Sequence, residues 1–371
     1  MLGVNILWFA LILMVLVLVH EAGHMVVAKW CGMRVERFSI FFGRPLWSFR
    51  RGETEYGIGW LPLGGYVKIS GMTRGEEIPP EVEHRAYYNM AAWRKIATIF
   101  AGPAVNIALA FVIFAAIFWI GIPTGTPTDR VAGVVQDSAA QEAGLQPGDR
   151  LLAVDGVQAN GDTERIRQAL QSGSPGETVR LTIDRDGQVV RTTAELQVLE
   201  DATGDPRTDP ETGRPLAGLG FTFDVVAGPT HQFGFVDGLV EGADFTLFIL
   251  ETNVEVIGDA FTSSEARDQV SSIVGVGAVF NEVSDDGVIT LLRFVGVISL
   301  ALGIFNLLPI LPLDGGHILF ALIEKVKGSS LSRVTYERAS FVGFAIIMIV
   351  FVVALQNDIG RITGEGFQLD R

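Results

Sequence analysis

"LVHEAGHMVV", residues 18–27, interrupts an apolar run that begins at Val4. A membrane helix wants hydrocarbon, yet this stretch carries His20, Glu21 and His24. A charged side chain at the centre of such a helix costs roughly 2.5–3.5 kcal/mol on insertion scales, so intramembrane ionisable groups are kept for function. Residues four apart lie one turn apart on one helix face, so both imidazoles can bind a single ion. Glu21 adjoins His20 and can reach a water on that ion. The pattern is the His-Glu-x-x-His arrangement of metal hydrolases. Alone it is weak, and a polar contact inside a helix bundle is the plainer reading, so the surroundings decide.

Those surroundings are membrane-like. Of 371 residues, 49% are hydrophobic and 19% charged, and the mean hydropathy is +0.37. Four apolar stretches, at 4–28, 96–121, 288–308 and 337–355, reach the ~20 residues a bilayer crossing needs. The expected fold is a multi-span α-helical membrane protein of about four transmembrane helices. The first stretch lacks the basic start of a cleavable signal peptide, since residues 1–10 hold no Lys or Arg.

Charge sets an orientation. Residues 29–95 carry eleven Lys or Arg against seven acids, while 121–287 carry ten against twenty-eight. The basic loop belongs on the cytoplasmic side, which puts the acidic segment and both termini outside. The acidic balance excludes a nucleic-acid binder. Cys31 is the only cysteine, so neither an intrachain disulfide nor a multi-cysteine zinc site can form.

Along the chain, "EYGIGWLPLGGYVKISGM" (55–72) reads as a hairpin or re-entrant sheet. Leu61, Leu63, Tyr66, Val67 and Ile69 are its candidates for dipping into the membrane interface, and an ordinary cytoplasmic hairpin fits as well. Trp93, Arg94 and Lys95 read as an interfacial anchor. "AGPAVN" (101–106) brings Gly102 and Ala104 as packing residues, and Asn106, which needs a partner in hydrocarbon. After a linker at 122–129, residues 130–225 form a small αβ module with a hairpin turn at Asp186-Gly187. Residues 240–262 have helical periodicity through Leu247, Leu250, Val254, Ile257 and Phe261. That helix suits the outer membrane surface and the soluble module equally.

"GIFNLLPILPLDGGHILFALIEKVKG" (303–328) breaks the third apolar run with Asn306, Pro309, Pro312 and Asp314. Irregular backbone at membrane depth is tolerated only when it is buried in protein or lines a wet cavity. A catalytic zinc takes three protein ligands plus water. Asp314 is the carboxylate at fitting depth and is the expected third ligand. An Asp-Gly turn is its plainer role. His84 and His231 fall in soluble segments, and His317 reads as a surface residue or an outer partner.

Taken together, "HEAGH" and "NLLPILPLDGGH" resemble the site-2 protease family of intramembrane zinc metalloproteases, and within it the bacterial regulator of sigma-E protease group. "GWLPLGGYVKISG", "AGPAVN", "ALIEKVKG" and the PDZ-like "AGLQPGDRLLAVDG" (143–156) match that group's landmarks in order. The resemblance implies that His20, His24 and Asp314 hold one Zn2+ and that Glu21 is the catalytic base and then acid. It implies substrate contacts at Asn306 and Pro309, and strand pairing with substrate along Gly64, Gly65, Tyr66 and Val67. It implies an inserted α+β PDZ domain at 128–225 in the periplasm, which binds a peptide or a periplasmic region of the substrate. The implied layout is two spans and a membrane-associated β-hairpin in 1–121, a helix and connector in 240–286, and two spans in 287–371. The implied setting is the bacterial inner membrane, with the active site near the cytoplasmic side. The implied substrate is a single-span membrane protein, an anti-sigma factor after a first periplasmic cut, or a remnant signal peptide.

The chain departs from that group in carrying one PDZ-like module rather than two, Ser272-Ile273-Val274-Gly275 in place of a Gly-Pro, and a proline shifted to Pro312. "GLGF" (218–221) copies a carboxylate-binding loop, but its late position reads as a terminal strand. A membrane-tethered PDZ scaffold with a non-catalytic metal site is the binding-class alternative, and a transporter built on the broken segment is another.

Overall fold

The computed structural model describes residues 2–72, 76–135, 138–199, 206–208, 213–263, 270–284 and 286–361. They form two compact units. One comprises the chain up to Ile120 and from Phe233 onward, and the other comprises Gly121–Gln232.

The first unit opens with α1 (Leu2–Trp30). Strands β1 (Val35–Arg51) and β2 (Thr54–Ile69) follow, paired antiparallel. Segment 55–69 is therefore one strand, not a whole hairpin, and its partner is a stretch that sequence reading passed over. The run "FFGRPLW" (41–47) hides that strand, because its apolar residues do not alternate and Pro45 cannot donate to a ladder. The register restarts several times. Trp47 lies opposite Ile58, while Val35 lies opposite Ile69 and Ile40 opposite Gly65. Phe41, Gly43 and Gly64 absorb these bends at positive φ.

The exposed apolar surface of this sheet comes from Phe42, Leu46, Trp47, Phe49 and Trp60. Ile69, expected at the membrane interface, is instead buried with Val35 against Ala28, Cys31, Met33 and Ile99. Tyr66 and Val67 are half-buried.

Helix α2 (Ala92–Ile120) then runs the length of a bilayer. Trp93 is exposed and stacks under Arg94, as an anchor should. Lys95 does not: it is buried and faces Glu324 at 3.4 Å. A buried ammonium needs a counter-charge, and Glu324 supplies one.

The second unit is an antiparallel sheet in the order β10-β3-β4-β6-β7, with β5 paired to β4. In chain order its elements are β3 (Ile122–Val134), α3 (Ala139–Glu142), β4 (Arg150–Val154), β5 (Val157–Gln158), α4 (Thr163–Gln171), β6 (Thr178–Arg185) and β7 (Gln188–Glu195). The short strands β8 (Gln197–Val198) and β9 (Ala217–Gly218) precede β10 (Phe221–His231). Alternation along β6 buries Val179, Leu181 and Ile183, which join Leu151, Ile166 and Leu219 in the core. Ser138 and Asp162 cap α3 and α4 by accepting from backbone N–H groups. The turn at Asp186-Gly187 has both residues at positive φ, as a two-residue hairpin requires. "GLGF" spans the end of β9, a bend at Gly220 (φ +75°) and the start of β10. Asp149 accepts from Arg185 Nε and Nη2 at 2.7 Å each and from the Gln146 backbone at 2.8 Å.

The first unit resumes with α5 (Phe235–Thr262). This helix packs along α2. Trp119 stacks on Phe235 with ring centroids 5.1 Å apart, and Phe245 meets Phe114 edge-on at 4.9 Å. A Cβ on Gly242 would fall 2.8 Å from the Ala115 backbone. A glycine at the crossing lets the two backbones close up, which sequence periodicity alone does not reveal.

Helices α6 (Ile273–Val283), α7 (Val288–Asn306), α8 (Asp314–Lys327) and α9 (Arg333–Gly360) complete the unit. The fully buried Asp358 of α9 accepts from the Ser272 and Gly275 backbone N–H groups and so caps α6. Four helices are long and apolar enough to cross a membrane: Asn5–Trp30, Ala92–Ile120, Val288–Asn306 and Arg333–Gly360. They fall on the four apolar stretches read from sequence.

Candidate metal centre

Three elements distant in sequence supply the site. Helix α1 brings His20, Glu21 and His24, α2 brings the backbone they lie on, and Asp314 opens α8. His20 Nε2 is 3.0 Å from Asp314 Oδ2, His24 Nε2 is 3.3 Å from the same oxygen, and the two Nε2 atoms are 3.1 Å apart. Among the described residues this is the one group of His, Cys, Asp or Glu whose ligand atoms cluster tightly enough for an ion.

The donor set fits zinc. Bonds of about 2.0–2.2 Å in tetrahedral geometry place ligand atoms about 3.4 Å apart, close to the separations here. His24 Nδ1 donates to the Thr98 carbonyl at 2.9 Å, which leaves the Nε2 lone pair free for a metal. Both imidazoles are buried, at 6% and 7% exposure, as a dry ligand set requires.

Gly102, read from sequence as a packing residue, faces these rings. A Cβ there would sit 2.3 Å from His24 Nε2 and 2.8 Å from His20 Nε2. The signal was present in "AGPAVN", but a glycine in a membrane helix reports close approach without saying to what.

Glu21 lies beside the pair on α1, next to strand β2. A Cβ on Gly65 would lie 3.4 Å from Glu21 Cγ. Strand β2 therefore runs directly past the glutamate. Gly64 faces Val17 and Phe42, with φ +112°. Tyr66 turns elsewhere: its ring stacks on Phe42 at 5.1 Å, and its hydroxyl accepts from Arg37 at 3.3 Å. Asn306 ends α7 and donates to its own helix at Leu302 O, 2.9 Å away. Pro309 lines a cavity of about 540 Å³ with Phe320, Thr335, Arg338 and Gly343. His317 is half-buried rather than on the surface, with its ring 6.4 Å from that of Tyr336.

A His-Glu-x-x-His helix and a distant carboxylate converging inside a bundle of membrane-length helices make the donor set of a membrane metallohydrolase. The family model described as Peptidase family M50 matches residues 8–350, and the chain belongs to that family. It is an intramembrane zinc metalloprotease.

The zinc metalloprotease Rip1 of Mycobacterium bovis is 32% identical over 351 residues, covering 87% of this chain and 86% of that protein. The regulator of sigma-E protease RseP of Escherichia coli is 29% identical, covering 95% of this chain and 98% of that one. Among solved structures, the PDZ domain of an SdrC-like protein from Listeria monocytogenes matches 28% of this chain and 93% of its own, at 19% identity and a TM-score of 0.21.

Proposed function

We propose that His20 and His24, through Nε2, and Asp314, through Oδ2, hold one zinc ion, and that Glu21 is the proton carrier for peptide hydrolysis. The observation that carries this reading is the meeting of the three donor atoms within 4.8 Å beside Glu21. A zinc ion held by these donors would supply a water of lowered pKa and a Lewis acid for the scissile carbonyl. Glu21 accepts the proton of the attacking water and delivers it to the leaving amine nitrogen. Thr98 fixes the His24 tautomer.

A transmembrane substrate hides its carbonyls in its own helix, so it must unwind before attack. The Gly64–Val67 part of β2 passes Glu21 and offers strand backbone to an extended segment. Asn306 and Pro309, at the broken backbone before Asp314, are the proposed contacts on the other side. The substrate class is a single-span membrane protein, an anti-sigma factor after a first outer cut or a remnant signal peptide. The setting is a bacterial inner membrane, with residues 128–225 and both termini on the outer side and the zinc site near the cytoplasmic one.

The sheet topology of 128–225 supports a PDZ domain in which β10 is an edge strand available to a peptide. Such a domain either recruits a substrate or excludes bulky ones. Removing 128–225 joins Pro127 to Val226, close to where Pro127 already pairs with Val225. A recruiter loses cleavage in that variant, and a filter gains cleavage of uncut substrates.

The decisive assay compares the native chain with Glu21→Gln on candidate single-span proteins. Zinc retained with cleavage reduced on the order of 10²–10⁴-fold is the expected result. Undiminished cleavage by Glu21→Gln overturns the reading.

A further inference from the structure

His24 and His20 share the cluster but not their surroundings. His24 Nδ1 is tied to the Thr98 carbonyl, whereas His20 Nδ1 is buried and has no hydrogen-bond partner. An imidazole that gives its Nε2 lone pair to a metal carries its proton on Nδ1. A buried N–H without an acceptor costs about 1–3 kcal/mol, and metal-bound histidines nearly always find one.

A second orphan lies nearby. Asn106 is fully buried, and neither its Oδ1 nor its Nδ2 has a partner. Asn106 follows Gly102 by four residues, so it sits on the same face of α2, about 6 Å further along. Gly102 is the residue pressed against both ligand rings. Helical side chains lean toward the N-terminus of their helix, and Gly102 lies on that side of Asn106. A Cβ on Gly303 would stand 3.5 Å from Asn106 Cβ.

We infer that Asn106 is the positioning residue for His20. One buried water accepts from His20 Nδ1–H and donates to Asn106 Oδ1. His20 then has the counterpart of the Thr98 carbonyl that serves His24, supplied by α2 in both cases. The inference rests on His20 being a zinc ligand.

The test measures zinc affinity of the full-length chain in detergent by chelator competition, together with the visible absorption of the cobalt-loaded protein. Asn106→Ala is expected to weaken zinc binding roughly 10–100-fold and to shift the cobalt bands. Asn106→Asp keeps an acceptor and is expected to bind zinc at least as tightly as the native chain. Ser299→Ala, which removes a 2.9 Å bond to the Asn106 backbone but spares the carboxamide, is expected to change neither readout. Native zinc affinity and an unshifted cobalt spectrum in Asn106→Ala overturn the inference. So does equal weakening in the Ala and Asp variants, which marks a packing role. If Asn106→Ala does not fold, Asn106→Asp decides alone, and weaker binding there overturns it. His20→Ala is the control: native zinc affinity in that variant defeats the ligand assignment itself.

Discussion

His20 and Asp314 are separated by 294 positions in the chain, and their Nε2 and Oδ2 atoms lie 3.0 Å apart. Only the folded bundle can bring them together, so zinc binding and folding of the α1–α2–α8 contact are linked. Asp314→Ala is expected to lower zinc affinity by more than the roughly 100-fold that losing an outer partner costs, and to abolish cleavage. Zinc content measured on the purified chain checks this.

Gly102→Ala makes a sharper case. Alanine in place of glycine favours a helix by about 1 kcal/mol. Here the added methyl would fall 2.3 Å from His24 Nε2. The expected outcome is zinc loss with the helix content kept, read by metal analysis beside circular dichroism. Ala104→Gly, a nearby change away from those rings, should leave zinc in place.

The β2 strand gives a prediction that separates backbone from side chain. Val67→Pro removes a backbone N–H from the part of β2 that passes Glu21. Cleavage is expected to fall at least 10-fold with zinc still bound. Val67→Thr keeps the N–H and the strand propensity and should cleave nearly normally. Initial rates on one membrane-embedded substrate distinguish the two.

Acid should loosen the second unit in a predictable window. The Arg185 guanidinium beside Asp149 holds its carboxyl below the usual carboxylate range. A depressed folded pKa gives stability that is full above the unfolded value, about 3.9, and is lost as pH falls through the folded one. Arg185→Gln should cost roughly 1–3 kcal/mol at neutral pH, because Asp149 keeps its Gln146 bond but loses its cation. It should also flatten the response below about pH 4. Amide exchange of β4 and β6 against pH measures both.

The spans and the proposed metal ligands were legible once the local patterns were read together. Four apolar runs mark the helices, and ionisable residues inside the first and in the broken stretch after the third mark the site. The Glu21 surroundings were half legible. "LPLGGYVKIS" announces a strand, but its partner, β1, is masked by clustered aromatics and Pro45. Lys95 read as an interfacial anchor because sequence shows its neighbour Trp93 and not Glu324, 229 positions away. Gly102 and Asn106 stood in plain view within "AGPAVN". What they face is set by the α1–α2 crossing, and no local pattern encodes that.

Strands β3 and β10 run side by side from Ile122 opposite His231 to Val134 opposite Phe221. The points where the chain leaves the helical unit and returns to it are thus held adjacent by a two-stranded stalk. Closing a long loop normally costs entropy that grows with its length, but here the stalk sets the span whatever hangs beyond it. Evolution can therefore exchange, duplicate or trim the inserted unit while its two ends stay paired as a hairpin.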